Sequence, residues 1–164
     1  MSICVFANGE VGVGVVKFLL QKKEKIGILV LHDVENSRNH AELTRLGADN
    51  DIQIVFFCDM RQPSFVDLLE KLNLSFGVSA FFNHILGKEI LDVFPNGIVN
   101  LHTSFLPWNK GSNPNVWSII KDDPVGVTLH FMNEQIDAGP IIARESFEAP
   151  IHCTGKQLYL DLEA

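Results

Sequence analysis

Three polar residues in the second half of the chain carry groups that could perform acyl transfer. Asn100 and His102 stand two positions apart at the end of an apolar run, and on a strand this spacing directs both side chains to one face. Asp137 follows a second apolar run, just before an Ala-Gly-Pro turn. An amide, an imidazole and a carboxylate that converge can stabilise an oxyanion, move a proton and orient the imidazole. Taken singly, Asn100 could cap a turn, His102 could brace a loop and Asp137 could be a turn residue, and each of these structural roles is more common than a catalytic one.

The motifs around these residues resemble the folate-dependent formyltransferase family. The pattern Asn-x-His-x-Ser-x-Leu-Pro occupies residues 100–107, Gly-Val-Thr-Leu-His-Phe-Met occupies 126–132, and Ile-Asp-Ala-Gly occupies 136–139. The resemblance runs across most of residues 75–150. Thr103 departs from the pattern, because many members carry proline there, and this change slightly loosens the preceding backbone without removing a chemical group.

A second segment points to one branch of the family. The sequence Leu-Pro-Trp-Asn-Lys-Gly at 106–111, followed by Pro-Asn-Val-Trp at 114–117, most resembles enzymes that formylate amino groups on nucleotide-linked sugars. The resemblance implies 10-formyltetrahydrofolate as formyl donor and a primary amine as acceptor. It also implies catalysis by Asn100, His102 and Asp137, with His102 as base or as oxyanion donor.

The resemblance implies binding residues as well. The cofactor residues would be Phe81, Phe82, Asn83, Ile85, Leu86, Ile136 and Asp137. The acceptor residues would be Asn8, Lys110, Asn113 and Trp117. From the residues alone, two adjacent phenylalanines outside a strand indicate a pocket wall or a small core under the loop. Lys110 beside a helix start indicates an anion site or a solvated lysine next to an ordinary capped helix.

Other activities remain open alternatives. The acceptor could be glycinamide ribonucleotide or methionyl-tRNA, or water could replace the amine in a formyltetrahydrofolate hydrolase. A non-catalytic fragment that binds folate or a nucleotide is an alternative of another class. The net charge of −7 counts against nucleic-acid partners, because proteins that bind phosphate backbones usually carry a basic patch. A nucleophilic enzyme is disfavoured, since Ser104 lacks a strand-to-helix elbow.

The pattern of strands and helices that must position these residues indicates an α/β fold. Apolar strands at 2–7, 26–32, 52–57, 75–80 and 98–101 alternate with helical patterns, which predicts βαβ units and a mostly parallel, doubly wound, Rossmann-like sheet. Gly12 and Gly14 are expected to let the first helix approach the sheet. A dinucleotide site with Asp33 on a ribose is disfavoured, because the glycine order is not G-x-G-x-x-G.

The last third of the chain predicts antiparallel strands at the sheet edge. Residues 125–132 alternate in polarity and 140–149 form a second strand, so we expect the two to pair. His84, His130 and His152 are expected to have structural or surface roles. Residues 154–164 begin a helix with a capping box and then stop, so the chain is expected to be cut short at its C-terminus.

Length and composition indicate one catalytic domain over residues 1–164. A chain of this length buries roughly 70% of its unfolded surface. Three widely spaced cysteines resemble small buried residues of a reducing compartment, and no metal site is expected. No apolar run approaches the roughly 20 residues of a membrane span, and no signal peptide is visible, so a cytoplasmic location is expected. The oligomeric state stays open, with a homodimer as one alternative.

Overall fold

The computed structural model describes residues 2–150 and 152–163, and the chain divides into two compact units. These are Met1–Ile98 and Val99–Ala164. The expectation of a single catalytic domain stays a prediction.

The first unit alternates strands and helices. Its elements are β1 (Ser2–Ala7), α1 (Gly9–Gln21), β2 (Ile26–Leu31), a 3₁₀ turn (Val34–Asn36), α2 (His40–Asp49), β3 (Gln53–Phe56), α3 (Phe57–Met60), α4 (Pro63–Lys71), β4 (Leu74–Ala80) and α5 (Lys88–Leu91). Within this unit the strand order is β3-β2-β1-β4, and every neighbouring pair is parallel. The predicted βαβ organisation is therefore confirmed.

The central strands are buried on both faces, as their unbroken apolar sequence predicts. In β1 every residue from Cys4 to Ala7 is fully buried, and β2 is buried at all positions except Gly27. The core includes Val13 and Val16 of α1 and Leu43 of α2. The helical spacing of these apolar residues therefore directs one face of each helix into the core.

The two glycines of α1 have different surroundings. A Cβ on Gly12 would lie 3.1 Å from the Cβ of Ala7 and 3.2 Å from its carbonyl carbon, so α1 approaches β1 through this residue, as predicted. Gly14 is exposed, and a Cβ there would meet no described atom within 4 Å. The expectation of close packing is therefore wrong for Gly14.

The second unit is antiparallel. Its elements are β5 (Ile98–His102), which begins at the last residue of the first unit, α6 (Pro114–Lys121), β6 (Gly126–Phe131), β7 (Ile141–Ser146) and α7 (Gly155–Glu163). β6 pairs with β5 on one side and with β7 on the other, both antiparallel. The strands of the chain are thus mostly parallel with antiparallel strands at one edge, and the predicted fold class is confirmed.

The strand β6 buries its polar face. Thr128 and His130 are 0% and 2% exposed, whereas Leu129 between them is 38% exposed. Alternation was predicted correctly, but the rule that the apolar face points inward fails here. A strand that buries a hydroxyl and an imidazole must satisfy both with hydrogen bonds, and the partners of these two side chains build the site described below.

The two helix starts of the second unit are capped in different ways. Asn113 precedes α6 in the left-handed conformation (φ 53°), and its backbone oxygen accepts the amides of Val116 and Trp117, with no side-chain cap bond in this described segment. At α7, Thr154 Oγ1 accepts the Gln157 amide, but the Gln157 side chain turns to Asp161. Only one half of the predicted capping box is therefore present, and Ala164 lies outside the described residues.

Two further expectations are tested by burial and length. Cys4 is buried, but Cys58 is exposed and Cys153 is partly exposed, so the expectation that all three cysteines are buried is wrong. Within residues 2–150 and 152–163, no helix combines the length and the apolar character that crossing a bilayer requires.

Candidate active site

The paired strands β5 and β6 place four polar side chains on one buried face. Asn100 lies opposite His130 and His102 lies opposite Thr128 in the antiparallel register. Directly opposite residues have Cβ atoms about 5 Å apart, and alternate residues of each strand share a face. The alternation of side chains along β5, predicted from the sequence, therefore puts Asn100 and His102 on the same face. The pairing of β5 with β6 places Thr128 and His130 on that face as well.

His102 is held on both sides of its ring. Its Nδ1 lies 3.5 Å from Oδ2 of Asp137, and its Nε2 lies 3.3 Å from the backbone oxygen of Asn109. The residue is 9% exposed. A carbonyl oxygen can only accept, so the contact with Asn109 requires the hydrogen on Nε2. Nδ1 is then the ring nitrogen that can take up a proton beside the carboxylate.

The electrostatics of His102 favour a neutral imidazole. Burial lowers the pKa of His102 below its ordinary value, and His130 adds to this effect, while Asp137 and the Asn109 carbonyl act in the opposite direction. A neutral ring can accept one proton, after which both nitrogens donate, one to the carboxylate and one to the carbonyl.

Asp137 accepts one backbone hydrogen bond and lies beside two imidazole rings. Its Oδ2 accepts the Gly111 amide at 2.8 Å and faces His102, while its Oδ1 lies 3.4 Å from Nε2 of His130. Burial raises the pKa of Asp137, but the hydrogen bond with His130, the charge of His102 and the Gly111 amide outweigh it, so the pKa lies below its ordinary value. Asp137 is therefore an ionised carboxylate at neutral pH.

His130 belongs to this cluster and is 2% exposed, so the expected surface role is wrong and a structural role inside the site takes its place. Its Nδ1 donates to the Phe131 carbonyl at 2.9 Å, and its Nε2 lies 3.2 Å from Nδ2 of Asn100 and 3.4 Å from Asp137. One imidazole thus contacts both the amide and the carboxylate. The signal was a histidine in the strand antiparallel to Asn100, but only the pairing register shows that the two are opposite.

A second polar network fixes the loop that follows β5. Thr128 Oγ1 donates to the Ser104 carbonyl at 2.7 Å and accepts the Leu106 amide at 3.1 Å, and Arg144 of β7 donates to the Leu106 carbonyl at 2.7 Å. Ser104 Oγ donates to the Trp108 carbonyl. Since these bonds tie the backbone of the loop to β6 and to β7, the chain leaves His102 along a defined path.

The end of this loop lines a cavity of about 420 Å³. Its lining residues are Pro107, Asn109, Lys110, Trp117 and Lys121. Lys121 Nζ lies 3.5 Å from Oδ1 of Asn109 and 5.3 Å from the centre of the Trp117 ring, and this indole is 46% exposed. Among the described residues, no carboxylate lies within salt-bridge distance of Lys110 or Lys121. The cavity thus combines two cationic groups with an accessible aromatic face.

The first unit holds the predicted cofactor loop. Phe82 and Leu86 are buried, whereas Ile85 is 74% exposed. His32, which is 3% exposed, accepts the Asn83 amide at Nε2 (3.2 Å) and packs edge-on against Phe82 with ring centres 4.9 Å apart. Of the two adjacent phenylalanines, Phe82 therefore packs in the core.

His84 lies in the same cluster of rings. Its imidazole stacks on Phe57 and lies 4.5 Å from the His32 ring, centre to centre. Burial lowers the pKa of His84, opposed by Asp33 and assisted by Arg61. A loop-bracing position agrees with the structural role that the sequence predicts for this histidine.

Asn8 and Ile136 complete the predicted binding residues, whereas Asp33 belongs only to the disfavoured dinucleotide hypothesis. Asn8 is buried and its Oδ1 accepts the Arg38 amide at 2.8 Å, so its carbonyl braces the segment before α2. Asp33 accepts the Cys58 amide at 3.0 Å. Ile136 is 57% exposed beside Asp137. The part of the chain that the structure covers contains no group of three or more His, Cys, Asp or Glu side chains arranged to hold a metal ion.

Comparison with known proteins identifies the family. The family model described as Formyl transferase matches residues 3–163. The methionyl-tRNA formyltransferase of Thermodesulfovibrio yellowstonii is 30% identical over 153 residues, which cover 88% of this chain and 49% of that protein. The chain therefore spans about half the length of this curated relative.

Solved structures show the same fold. The phosphoribosylglycinamide formyltransferase of Bacillus halodurans superposes with a TM-score of 0.82 at 22% identity, covering 99% of this chain and 88% of that one. A sugar N-formyltransferase from a Shewanella species gives a TM-score of 0.80 at 22% identity, covering 99% and 63%. With a family model that matches nearly the whole sequence, this chain belongs to the formyl transferase family.

Proposed function

We propose that this chain transfers a formyl group from 10-formyltetrahydrofolate to a primary amine. The single observation that carries the proposal is the contact of His102 with Asp137, on the strand face that also presents Asn100. The family supports a formyl donor, and the bound donor would supply the one-carbon group that is transferred. The residues in the second unit then provide the amide, imidazole and carboxylate that such a transfer needs.

Each of the three residues has a distinct task in this proposal. One amide hydrogen of Asn100 is directed by His130, and the other is available to the oxygen on which negative charge develops. Losing one such donor typically costs about 10²–10³ in rate. His102 accepts the proton that the amine loses, because its lowered pKa keeps the ring neutral. Asp137 then stabilises the imidazolium and holds the ring in place.

The loop of the first unit is proposed to bind the donor's ring system. Exposed Ile85 beside buried Phe82 and Leu86 gives an apolar surface on a braced backbone, which fits a planar heterocycle. Phe81, Asn83 and Ile136 are proposed to contribute backbone or apolar contacts, as the resemblance implies.

We propose a nucleotide-linked amino sugar as the acceptor. The support is the cavity that Lys110, Trp117 and Lys121 line, because lysine ammonium groups suit phosphates and an exposed indole suits a planar base. Asn113, at the left-handed position before α6, is proposed to contribute there. Asn8 is kept as a proposed contact, although its carbonyl is already engaged by Arg38.

Glycinamide ribonucleotide is a second candidate acceptor, since a phosphoribosylglycinamide formyltransferase shares the fold. Methionyl-tRNA is a third, favoured by the curated relative and disfavoured by the net charge of −7. A screen that offers nucleotide-linked amino sugars, glycinamide ribonucleotide and charged tRNA to the same preparation separates the three. Transfer to tRNA alone would contradict the proposed acceptor.

The proposed chemistry is tested by following tetrahydrofolate release with and without amine. Release that needs an amine supports transfer, and release without amine indicates the hydrolase. We expect Asn100→Ala, His102→Ala and Asp137→Ala each to lower the rate by at least about 10² while folate binding, measured calorimetrically, persists. A wild-type rate in any of the three would contradict the assignment of that residue, and lost folding would indicate a structural role.

A further inference from the structure

Asn109 connects the imidazole of His102 to helix α6. Its backbone oxygen contacts Nε2 of His102 at 3.3 Å, and its side-chain amide donates to Oγ of Ser118 at 2.9 Å. Ser118 in turn donates to the carbonyl of Pro114 at 3.0 Å. The path from the imidazole to the first turn of the helix therefore runs through two short side chains.

Both side chains of this path are buried. Asn109 is 8% exposed and Ser118 is 3% exposed, so an amide or hydroxyl that lost its partner there could not replace it with water and would destabilise the structure. The two groups therefore hold each other in one arrangement. The backbone of Asn109 is left-handed, with φ 53°, a conformation that asparagine tolerates but that needs support from its surroundings.

We propose that Asn109 is a positioning residue, which fixes the ring of His102 through its carbonyl and is itself fixed by Ser118. The carbonyl keeps the hydrogen on Nε2, and this leaves Nδ1 beside Asp137 as the proton acceptor. The relevance to formyl transfer rests on the proposed function, but the geometry of the imidazole can be measured independently of any reaction.

The same residue faces the cavity. Oδ1 of Asn109 lies 3.5 Å from Nζ of Lys121, and both residues line the 420 Å³ space. An anion that binds Lys121 would therefore act on the side chain that orients His102. Asn109 therefore touches both the imidazole of His102 and the cavity.

Two variants test the proposal in the full chain. Asn109→Gly keeps the backbone carbonyl and suits the left-handed conformation, but it removes the side-chain tie to α6. Ser118→Ala removes only the hydroxyl that receives this tie. Asn73→Gly is the matched control, because Asn73 is exposed, has φ 48° and lies in the first unit.

The readouts are the imidazole ¹⁵N spectrum of His102 and steady-state formyl transfer. We expect both site variants to shift the Nε2 resonance of His102 and to lower kcat by about ten- to 100-fold, because small displacements of a reacting group have effects of this size. The KM for the donor should stay unchanged. A partial loss of folded enzyme would also lower the apparent kcat at constant KM, but it would not shift the His102 resonance of the folded protein. Asn73→Gly should match wild type.

Several outcomes would overturn the proposal. His102 resonances and kcat equal to wild type in both site variants would show that the tie to Ser118 does not position the ring. An equal loss in Asn73→Gly would assign the effect to backbone loosening. If Asn109→Gly fails to fold, Ser118→Ala decides the matter alone. If wild type transfers no formyl group, the proposed function fails, while the spectrum still tests the role of Asn109.

Discussion

At the residue scale, His130 joins the amide and the carboxylate of the candidate site. Its Nδ1 is committed to the Phe131 carbonyl, which leaves Nε2 to meet both Asn100 and Asp137. Because this imidazole is only 2% exposed, it cannot exchange its partners for water. With its hydrogen on Nδ1, Nε2 accepts the Asn100 hydrogen and orients that amide, and it lies beside the Asp137 carboxylate without donating to it. Substitution should therefore disturb Asn100 and Asp137 together.

We predict that His130→Phe lowers the rate of formyl transfer by about ten- to 100-fold. Phenylalanine keeps a flat ring in the buried space but offers no nitrogen to Asn100 or to Asp137. His130→Gln should retain more activity, because its amide oxygen can accept the Asn100 hydrogen. The measurement is kcat for both variants beside wild type, and a wild-type kcat in His130→Phe would exclude this role.

At the element scale, the approach of α1 to β1 depends on one of its two inner glycines. We predict that Gly12→Ala and Gly14→Ala change the free energy of unfolding, measured by chemical denaturation, in opposite directions. A methyl group on Gly12 meets the backbone of Ala7, so the free energy of unfolding should fall by about 1–3 kcal/mol. At exposed Gly14 the same change should raise it by about 0.5–1 kcal/mol through helix propensity.

These two substitutions control for each other, since both lie in one helix and add the same methyl group. Equal effects of the same sign would show that propensity, and not contact with β1, governs this helix. Neither residue belongs to the candidate site, so activity at low temperature should be unchanged in Gly14→Ala.

The buried imidazole of His32 anchors the loop over residues 81–86. His32 accepts the Asn83 amide and packs against Phe82. We predict that His32→Leu raises the KM for the formyl donor about tenfold, because the loop loses a backbone anchor, while kcat changes little. His32→Gln should retain most of the donor affinity, since its amide oxygen can accept the same hydrogen.

A suitable control is His40→Leu, because His40 also stacks on an aromatic ring, that of Phe56, and its buried Nδ1 has no hydrogen-bond partner among the described atoms. This variant should leave the KM for the donor unchanged. The loop-anchoring role of His32 is contradicted if His32→Leu and His40→Leu give the same KM.

At the scale of the whole molecule, buried histidines make stability depend on pH. Burial lowers the pKa of His32 to about 4, with a further contribution from His84 and an opposing one from Asp33. Between about pH 6.5 and pH 4 the unfolded chain therefore binds more protons than the folded chain. The free energy of unfolding must then fall as the pH is lowered through this window.

We predict that acidification from pH 7 to pH 4 lowers the free energy of unfolding, with His32 contributing up to about 3 kcal/mol. His102 acts in the same direction, because its pKa is also lowered. Asp137 lowers the free energy of unfolding further at pH values below the pKa that it has in the unfolded chain, because its pKa in the folded chain is lower. Urea denaturation at several pH values across this range measures how steeply the free energy of unfolding changes with pH. In His32→Gln this dependence should be weaker between pH 6.5 and pH 4. An unchanged slope in that variant would contradict the assignment.

The order of strands and helices was predictable because local hydrophobic periodicity reports which face of each element is buried. The same period of two placed Asn100 and His102 on one face of β5. Bounds were less predictable: β3 is shorter than expected and α3 was not predicted at all, because short helices follow from backbone contacts and not from a repeated pattern.

The sequence by itself determined the α/β class, the antiparallel edge and the candidate trio of amide, imidazole and carboxylate. Only the tertiary structure brought in His130 and Asn109, and only it turned the polar face of β6 inward. The reason is physical: periodicity encodes the direction of a side chain from its own strand. The partner it meets depends on the register of a strand 30 residues away and on the path of a loop, and neither leaves a local pattern.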